Sequence, residues 1–464
     1  MNLFQNIQFF LLNIILLFSF VNCQNIPNPR YQQTSSLIGN RLYFFGGDLS
    51  PTDHNNDSAT NVTNEVWYLD LSGSFNTATP PWNKDIGMPI GYNLGASCVR
   101  PIDNSVFLVG GRMYIPNTAN INLGFSPVYL FNSNISLWTN PYIISFNSSF
   151  KMRNEIQPVI DNYGKIYTFG GTNGTDLNAS NVDYNDMSIL DTTSMTWSTL
   201  PISANTPPPY LSYTATLIPT GIIVYIGGYV SRSAIIYQYE LVSMYEIQTF
   251  NTKNYTWSTK VASGATIGPR IGHSAVLTQY GDIIIYGGGA MLNDSTIPAT
   301  PYVAKLDTST WMWSIPNVSQ INSPQLSDHS AALYGDYIII AFGQIPSMSS
   351  ISYSFLSNNL YILDIKNYTW ITLFNPNQST SNQTPTPNKS PTNQTPPPNK
   401  SPTNQPSPPN NNHLNNDLFI GIGIGAGIVL LGVFSVVGFL LYKRKKQNQF
   451  IPTPGTTDRN NMMN

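Results

Sequence analysis

Short runs of apolar residues that end in glycine recur along most of the chain. Six of these runs follow one another at intervals of about 55 to 65 residues, and five of them end in a Gly-Gly pair. They are Leu42–Gly47, Val106–Gly111, Ile166–Gly171, Ile223–Gly228, Ile283–Gly288 and Ile338–Gly343, the last of which keeps only one glycine. A repeat of this length indicates an array of similar units that bury their apolar faces against one another.

Each unit contains three more segments with the character of strands. A second apolar run follows the glycine pair and a tryptophan follows that run; in five units an Asp or Asn stands six residues before the tryptophan. The first unit departs from this spacing, with extra residues between Asp70 and Trp82. Another strand precedes each glycine strand across a turn signal such as Asn162-Tyr163-Gly164. The pattern therefore predicts four strands per unit, with no helical periodicity between them.

This order of strands, glycine pair, Asp or Asn, and tryptophan resembles the kelch repeat; it covers roughly residues 30–374, nearly all of the propeller ectodomain that we predict over residues 24–374. The resemblance implies an all-β fold, a six-bladed kelch-type β-propeller similar to attractin-like and galactose-oxidase-like propellers. Seven blades stay open as an alternative, because the first unit is irregular and the last lacks a full glycine pair. We expect the glycine pairs to allow sharp turns and the tryptophans to pack between neighbouring blades. The residues in these two roles are Gly46, Gly47, Gly110, Gly111, Gly170, Gly171, Gly227, Gly228, Gly287, Gly288, Trp82, Trp138, Trp197, Trp257, Trp313 and Trp370.

Two other apolar segments flank the repeats. Phe9–Val21 predicts a secretory signal peptide over residues 1–23, with an uncleaved anchor as the alternative. Residues 417–442 predict a transmembrane helix, because no charge interrupts Leu418–Tyr442 and four basic residues follow directly. The positive-inside rule then places the tail, residues 443–464, in the cytoplasm. These signals predict a type I protein of the plasma membrane or another secretory-pathway membrane, with its N-terminus outside.

The segment between the repeats and the membrane helix has a different composition. Residues 375–416 are rich in Pro, Asn and Thr and contain an eleven-residue repeat, which predicts a disordered, extended stalk. Within the membrane helix, four glycines alternate with apolar residues at Gly421, Gly423, Gly425 and Gly427. This spacing either supports a homodimer through close helix contact or reflects glycine tolerated near the membrane entry.

Composition and motifs argue against most chemistries. Charged residues make up 9% of the chain and the net charge is −2, so we predict no nucleic-acid binding. No zinc spacing, nucleophile motif or phosphate loop occurs, so we predict no catalytic residue, no metal and no cofactor.

The remaining enzyme hypothesis is a copper oxidase similar to galactose oxidase, and the resemblance would require a Cys–Tyr cross-link, a second Tyr and two His. The four histidines are His54, His273, His329 and His413. Two of them, His273 and His329, occupy a His-Ser-Ala position that is usually structural in kelch blades. Cys98 is predicted to be buried in a strand.

Recognition is the function that these exclusions favour. The loops after the glycine pairs and the connections between blades open on one face of a propeller, and long loops usually carry function. On that face Arg112, Tyr114, Tyr229 and Arg232 are predicted to contact the partner, an extracellular protein or glycan. About fifteen sequons occur, and ten of them are named here as glycosylation candidates: Asn56, Asn61, Asn134, Asn147, Asn173, Asn178, Asn254, Asn293, Asn317 and Asn367.

Overall fold

The computed structural model describes residues 26–50, 61–115, 128–146, 150, 153–174, 182–231, 239–292, 295–319, 324–345 and 355–379. The predicted signal peptide, membrane helix and cytoplasmic tail, and the stalk after residue 379, lie outside these ranges. Within them, no helix has the length and apolar character needed to cross a membrane.

The first three repeats form three antiparallel sheets of four strands each, which we call blades 1 to 3. Blade 1 contains β1 (Thr34–Ile38), β2 (Arg41–Phe45), β3 (Val66–Asp70) and β5 (Trp82–Lys84), with β4 (Phe75–Asn76) between its last two strands. Blade 2 contains β7 (Ala96–Val99), β8 (Val106–Val109), β10 (Val128–Asn132) and β11 (Leu137–Thr139), and a separate pair, β6 (Gly91–Asn93) and β9 (Arg112–Tyr114), accompanies it. Blade 3 contains β12 (Val159–Ile160), β13 (Lys165–Phe169), β14 (Met187–Asp191) and β15 (Thr196–Thr199).

The last three repeats form blades 4 to 6 in the same way. Blade 4 contains β17 (Thr214–Leu217), β18 (Ile222–Ile226), β21 (Glu246–Asn251) and β22 (Thr256–Val261), beside a small sheet of β16 (Tyr210–Leu211), β19 (Tyr229–Ser231) and β20 (Tyr239–Leu241). Blade 5 contains β24 (Ser274–Leu277), β25 (Asp282–Tyr286), β28 (Val303–Asp307) and β29 (Met312–Ser314), joined by β23 (Ser263–Gly264) and flanked by the pair β26 (Gly289–Leu292) and β27 (Ser295–Pro298). Blade 6 contains β30 (Ser330–Tyr334), β31 (Tyr337–Ala341), β34 (Leu360–Asp364) and β35 (Thr369–Ile371), flanked by β32 (Gln344–Ile345) and β33 (Phe355–Leu356); β36 (Leu373–Phe374) and the helical turn α1 (Pro376–Ser379) follow.

Six blades close the ring, and the seven-bladed alternative is therefore wrong for the described chain. The first strands of the blades, β1, β7, β12, β17, β24 and β30, each lie against the next, and β30 lies against β1. The extra residues of the first repeat have a role in this closure. They contain β4, which pairs with β36 at the end of the last repeat, through Phe75–Phe374 and Asn76–Leu373.

Apolar clusters between neighbouring blades form the core. Strands such as β2 and β31 have a neighbouring blade against each of their two faces. Because both faces are covered, their sequences are continuous apolar runs rather than alternating ones. There are six such clusters among the described residues, one for each pair of neighbouring blades. Each cluster contains or contacts one of the six repeat tryptophans, as Trp257 does between blades 3 and 4.

Strand register defines two faces of the ring. Thr34, at the start of β1, pairs with Phe45, at the end of β2, so the glycine pairs and the blade-to-blade connections lie at one end, which we call the upper face. The turns between the first and second strands and between the third and fourth strands lie at the other end, the lower face. The loops expected to open together are therefore on the same face.

Candidate functional site

A ring of backbone hydrogen bonds surrounds the upper end of the central channel. One residue per blade, just before the first strand, adopts the left-handed conformation, with φ between 51° and 61°. These residues are Gln32, Leu94, Glu155, Ser212, Gly272 and Asp328. Their backbones bond from blade to blade: the N–H of Leu94 donates to the carbonyl of Gln32, Glu155 to Leu94, Ser212 to Glu155, Asp328 to Gly272, and Gln32 to Asp328. We call this arrangement the mouth ring; it fixes the positions of five side chains around the channel, because its residue in blade 5 is Gly272.

The glycine pairs form a second set of blade-to-blade bonds just outside the mouth ring. The N–H of the second glycine donates to a carbonyl of the following blade in all six cases, for example Gly47 to Tyr92 at 2.8 Å and Gly343 to Arg30 at 2.8 Å. The last of these bonds connects blade 6 to blade 1. In blade 6 the place of the first glycine is taken by Phe342, which keeps φ at 64° and packs its ring on Phe44 at 5.2 Å.

The chain after each glycine pair does not leave the blade at once. The residue that follows the pair forms a bridge with the residue just before the mouth ring in every blade, as Arg112 does with Asn93 and Tyr229 with Leu211. The first residues of the predicted binding loops are thus held against the mouth ring by backbone pairing. Much of the remaining loop length lies outside the described residues.

The four predicted contact residues are placed differently. Arg112 is partly exposed at the start of β9 and donates to the carbonyl of Gly174 at 3.4 Å. Tyr114 is 5% exposed and packs on Val62, and because its side chain is buried it is removed from the predicted contact surface. Tyr229 is partly exposed at the mouth, and Arg232 lies outside the described residues.

A cavity of about 120 Å³ opens at the mouth ring and continues into a second one of about 150 Å³. The two share lining residues from the upper ends of the first strands, including Gln33, Thr214, His273 and His329. The linings include Glu155 and Asp328 but no lysine or arginine. In a chain with few charges, two carboxylates at one opening give the mouth an acidic character.

Glu155 is held in place by two hydroxyl groups. Its Oε2 accepts hydrogen bonds from Ser212 Oγ at 2.8 Å and from Tyr229 Oη at 2.5 Å. Tyr229, predicted as a contact from its position after a glycine pair, therefore also orients an acidic group of the mouth. Charge-assisted bonds of this kind are short and directional. Both are made to Oε2, so the second carboxylate oxygen, Oε1, takes part in neither of them.

Asp328 lies across the ring and is bound by one amide. Gln344 Nε2 donates to Asp328 Oδ2 at 2.8 Å. Burial raises the pKa of Asp328, hydrogen bonds from Gln344 and Ser327 act in the opposite direction, and the negative charge of Glu155 raises the pKa further. Among the described residues, no lysine or arginine forms an ion pair with Glu155 or Asp328.

Three side-chain amides around the mouth have an acceptor oxygen that is buried without a hydrogen bond: Gln33 Oε1, Asn93 Oδ1 and Gln344 Oε1. Their amide nitrogens are all engaged, by Ser330 Oγ, Gln32 Oε1 and Asp328 Oδ2 respectively. A buried acceptor without a donor costs about 1 to 3 kcal/mol, so a cluster of three is unusual at one site.

Positive charge near the mouth is buried beneath it. Arginine occupies the position two residues before the mouth ring in blades 1, 3 and 5, and the side chains of Arg30, Arg153 and Arg270 are at most 1% exposed. Arg30 pairs with Glu65 and Arg153 with Asp186, each at 2.8 Å. Arg270 instead donates to the carbonyls of Gly268 and Gly287, and burial lowers its pKa to about 10.

The histidines near the channel bond neighbouring blades to each other. His273 Nε2 bonds Thr214 Oγ1 at 3.0 Å, and His329 Nε2 bonds Ser274 Oγ at 2.8 Å. Burial lowers the pKa of both, for His329 to about 3, so both are neutral at physiological pH. Cys98 is unpaired and buried, and burial raises its pKa to about 12. No group of three or more metal-ligating side chains occurs in the described ranges, and His54 and His413 lie outside them.

The glycosylation candidates divide between the two faces. Asn134, Asn254 and Asn367 are exposed in the lower-face turns between the third and fourth strands. Asn317 is exposed after β29, and Asn61 and Asn173 are partly buried. Asn56, Asn147, Asn178 and Asn293 lie outside the described residues.

Sequence reasoning missed the acidic residues of the mouth. Glu155 and Asp328 stand at the same place in their repeats, two residues after Arg153 and Leu326, but the six residues at this place share no side-chain type. When the six repeats are aligned on the last glycine of each apolar run, these positions lie 15 to 17 residues before it, close together but not in one column. Their approach to one another follows only from closure of the ring.

Comparison with known proteins agrees with this fold. The profile of the Attractin/LZTR1 beta-propeller family matches residues 95–389, more than half of the chain. Acyl-CoA-binding domain-containing protein 5 of Arabidopsis thaliana is 24% identical over 334 residues, which cover 68% of this chain and 44% of that protein. Kelch domain-containing protein 3 of Rattus norvegicus is 26% identical over 227 residues, covering 45% of this chain and 53% of that protein. The chain spans about half the length of these relatives.

Proposed function

Because the chain belongs to the Attractin/LZTR1 beta-propeller family, we propose that its kelch-type propeller is a recognition module that binds a protein or glycan at the upper face. This module lies outside the cell, and the chain that carries it is a type I membrane protein with one membrane helix. The predicted signal peptide and the basic run after the membrane helix support this location.

The mouth is the observation that carries the binding proposal. It gathers residues from all six blades around a polar cavity, and it includes buried acceptor oxygens that have no hydrogen bond within the protein. Residues on rigid strands surround it, while the loops after the glycine pairs start at its rim. A concave, preorganised site with unused polar groups is typical of a binding site.

Paired variants on the two faces test the proposal. The full-length protein, displayed on cells, is used to identify a surface partner by proximity labelling, and variants are then compared for capture of that partner. Tyr229→Ala and Arg112→Ala at the upper face are expected to weaken capture by about 1 to 3 kcal/mol each, the range of an interface anchor. Tyr163→Ala and Lys253→Ala, exposed in lower-face turns, are the matched controls and are expected to bind normally.

The opposite result would overturn the assignment of the face. If capture survives both upper-face changes and is lost with Tyr163→Ala or Lys253→Ala, the partner binds at the lower face. Thermal unfolding of each variant is measured alongside, because Tyr229→Ala also removes a hydrogen bond to Glu155.

A further inference from the structure

The mouth offers hydrogen-bond acceptors and negative charge, and none of the described lysines and arginines lines it. Its polar groups include two carboxylates, Glu155 and Asp328, and the acceptor oxygen of Gln33, a side chain that is 7% exposed and lines both cavities. Asn93 Oδ1 and Gln344 Oε1, nearby at the base of the upper loops, also lack donors. The side-chain amide nitrogens of these three residues, Gln33, Asn93 and Gln344, already donate hydrogen bonds within the protein.

Such a set of groups is incomplete on its own. Two partly buried carboxylates without an ion pair repel each other, and buried acceptors without donors have lost hydration that nothing replaces. Both deficits are removed by one kind of group, a cation that carries several N–H donors. Guanidinium carries five N–H donors and ammonium three, and neither has an acceptor.

We propose that the mouth ring binds the basic side chain of a protein partner, an arginine or lysine that enters the channel between Glu155 and Asp328. This inference rests on the proposed function and specifies its ligand. The charged group lies between the two carboxylates and donates to Gln33 Oε1, the acceptor oxygen whose side chain lines both cavities. The aliphatic part of the side chain passes through the ring of backbone groups.

The dimensions of the mouth suit this ligand. Its cavity of about 120 Å³ is several times the roughly 30 Å³ that one water molecule takes up in the liquid, so the four heavy atoms of guanidinium fit. Among the described residues no lysine or arginine lines the cavity, and the buried side chain of Arg270 donates to the carbonyls of Gly268 and Gly287. Glu155 is already oriented by Ser212 and Tyr229, so binding requires little rearrangement there.

Small probes test the ligand class without knowledge of the partner. Binding of N-acetylarginine methylamide and N-acetyllysine methylamide to the full-length protein in detergent is measured by ligand-observed NMR. The neutral isostere N-acetylcitrulline methylamide has nearly the shape of the arginine probe without its charge. We expect saturable binding of the two basic probes, at least tenfold weaker binding of the citrulline probe, and loss of basic-probe binding at high salt.

Variants locate the site. Glu155→Gln and Asp328→Asn keep the shape of the side chains, but they remove the charge and replace one acceptor oxygen with an NH2 donor, so each is expected to weaken binding of the arginine probe at least tenfold. Glu246→Gln, an exposed carboxylate at the start of β21, is the matched control and is expected to bind the probe normally. Urea unfolding of the variants shows whether any loss comes from the fold.

Several outcomes would overturn the inference. Equal binding of the arginine and citrulline probes would show that charge is not recognised, and normal binding by folded Glu155→Gln and Asp328→Asn would place the cation elsewhere. Absence of any basic-probe binding would also overturn it. None of these results affects the proposed function, which fails separately if upper-face variants leave partner capture unchanged.

Discussion

At the residue scale, the first glycine of each pair matters because of what lies opposite it. Gly46 has φ of 67°, and a Cβ built on it would lie 2.0 Å from the backbone oxygen of Tyr92 in the next blade. The constraint therefore comes from a neighbouring blade as well as from the local turn. A side chain here would separate two blades at the point where Gly47 bonds to Tyr92.

Gly46→Ala is expected to lower the free energy of unfolding by about 2 to 4 kcal/mol, because it combines backbone strain with a clash against backbone that cannot move aside. Gly73→Ala is the control: a Cβ at Gly73 meets nothing within 4 Å, and the change is expected to stay within about 0.5 kcal/mol. Urea unfolding followed by tryptophan fluorescence measures both. Equal stability of the two variants would contradict the close approach of the blades.

The buried histidines make stability depend on pH. Burial lowers the pKa of His329 to about 3 and that of His273 well below its usual value. In the unfolded chain each histidine has the ordinary pKa of about 6.5. Protonation therefore favours the unfolded state, and the contribution of His329 is complete above pH 6.5 and is lost as the pH falls toward 3. The loss is about 1.4 kcal/mol for each pH unit per histidine.

His329→Gln is expected to make the free energy of unfolding fall less steeply between pH 7 and pH 5, by about 2 kcal/mol over that interval. The variant is less stable than the natural protein at pH 7, since it lacks the bond to Ser274, so the slopes are compared rather than the absolute values. Equilibrium unfolding in urea at several pH values provides them. Parallel slopes would mean that His329 titrates normally in the folded protein.

At the scale of elements, the tryptophan of the fourth strand joins each blade to the one before it. Trp257 lies 4.5 Å from Phe169 of blade 3 and 5.2 Å from Tyr225 of its own blade, measured between ring centroids, and it is 7% exposed. Trp138 is equivalent by sequence but is partly exposed, and its indole N–H donates to the carbonyl of Ile86 at 3.3 Å. The repeat position is the same, but the extent of burial differs.

Trp257→Ala is expected to cost about 3 to 5 kcal/mol of stability, because it removes a large buried side chain from the contact between two blades. Trp138→Ala is expected to cost at least 1 kcal/mol less, since part of its indole already contacts water. Both are measured by thermal and urea unfolding. An unchanged melting temperature in Trp257→Ala would show that this tryptophan does not hold the blades together.

At the scale of the whole molecule, closure of the ring depends on two segments from opposite ends of the repeat region. Phe374 of β36 is fully buried, stacks on Phe75 of β4 at 4.8 Å and lies 5.5 Å from Tyr337. Pairing of β36 with β4 and the bond from Gly343 to Arg30 both join blade 6 to blade 1. The other blade junctions described in the ring join consecutive blades, so the junction of blades 6 and 1 is the one that brings the two ends of the repeat region together.

Phe374→Ala is expected to cost about 3 to 5 kcal/mol and to increase amide hydrogen exchange first in blades 1 and 6, because the ring opens at this contact. The neighbouring Leu373→Ala is the control, since that side chain is 63% exposed and is expected to change stability by about 0.5 kcal/mol or less. Exchange that rises equally in all six blades would argue against closure at this contact.

The proposed orientation in the membrane also belongs to the whole molecule. A tag after Gln24 is expected to be digested by protease added to intact cells, and a tag after Asn464 is expected to be protected, because the basic residues after the predicted membrane helix favour the cytoplasm. Permeabilised cells, in which both tags become accessible, are the control. Digestion of the tag after Asn464 on intact cells would contradict the type I arrangement.

The sequence by itself determined the elements and their number. Strand propensity, glycine turns and tryptophan spacing are local or repeated signals, so six repeats were enough to predict six four-stranded blades and the face on which the loops open. Tertiary structure decided what those residues contact. In the sequence the extra residues before Trp82 are an irregularity of the first repeat, whereas in the structure they contain β4, which pairs with β36. The position of Tyr114 after a glycine pair predicts a contact with the partner, but its side chain is buried against Val62. Glu155 and Asp328 are 173 positions apart in the numbering. Their meeting at one mouth depends on ring closure, and no local pattern encodes it, because its cause is the packing of six blades around an axis.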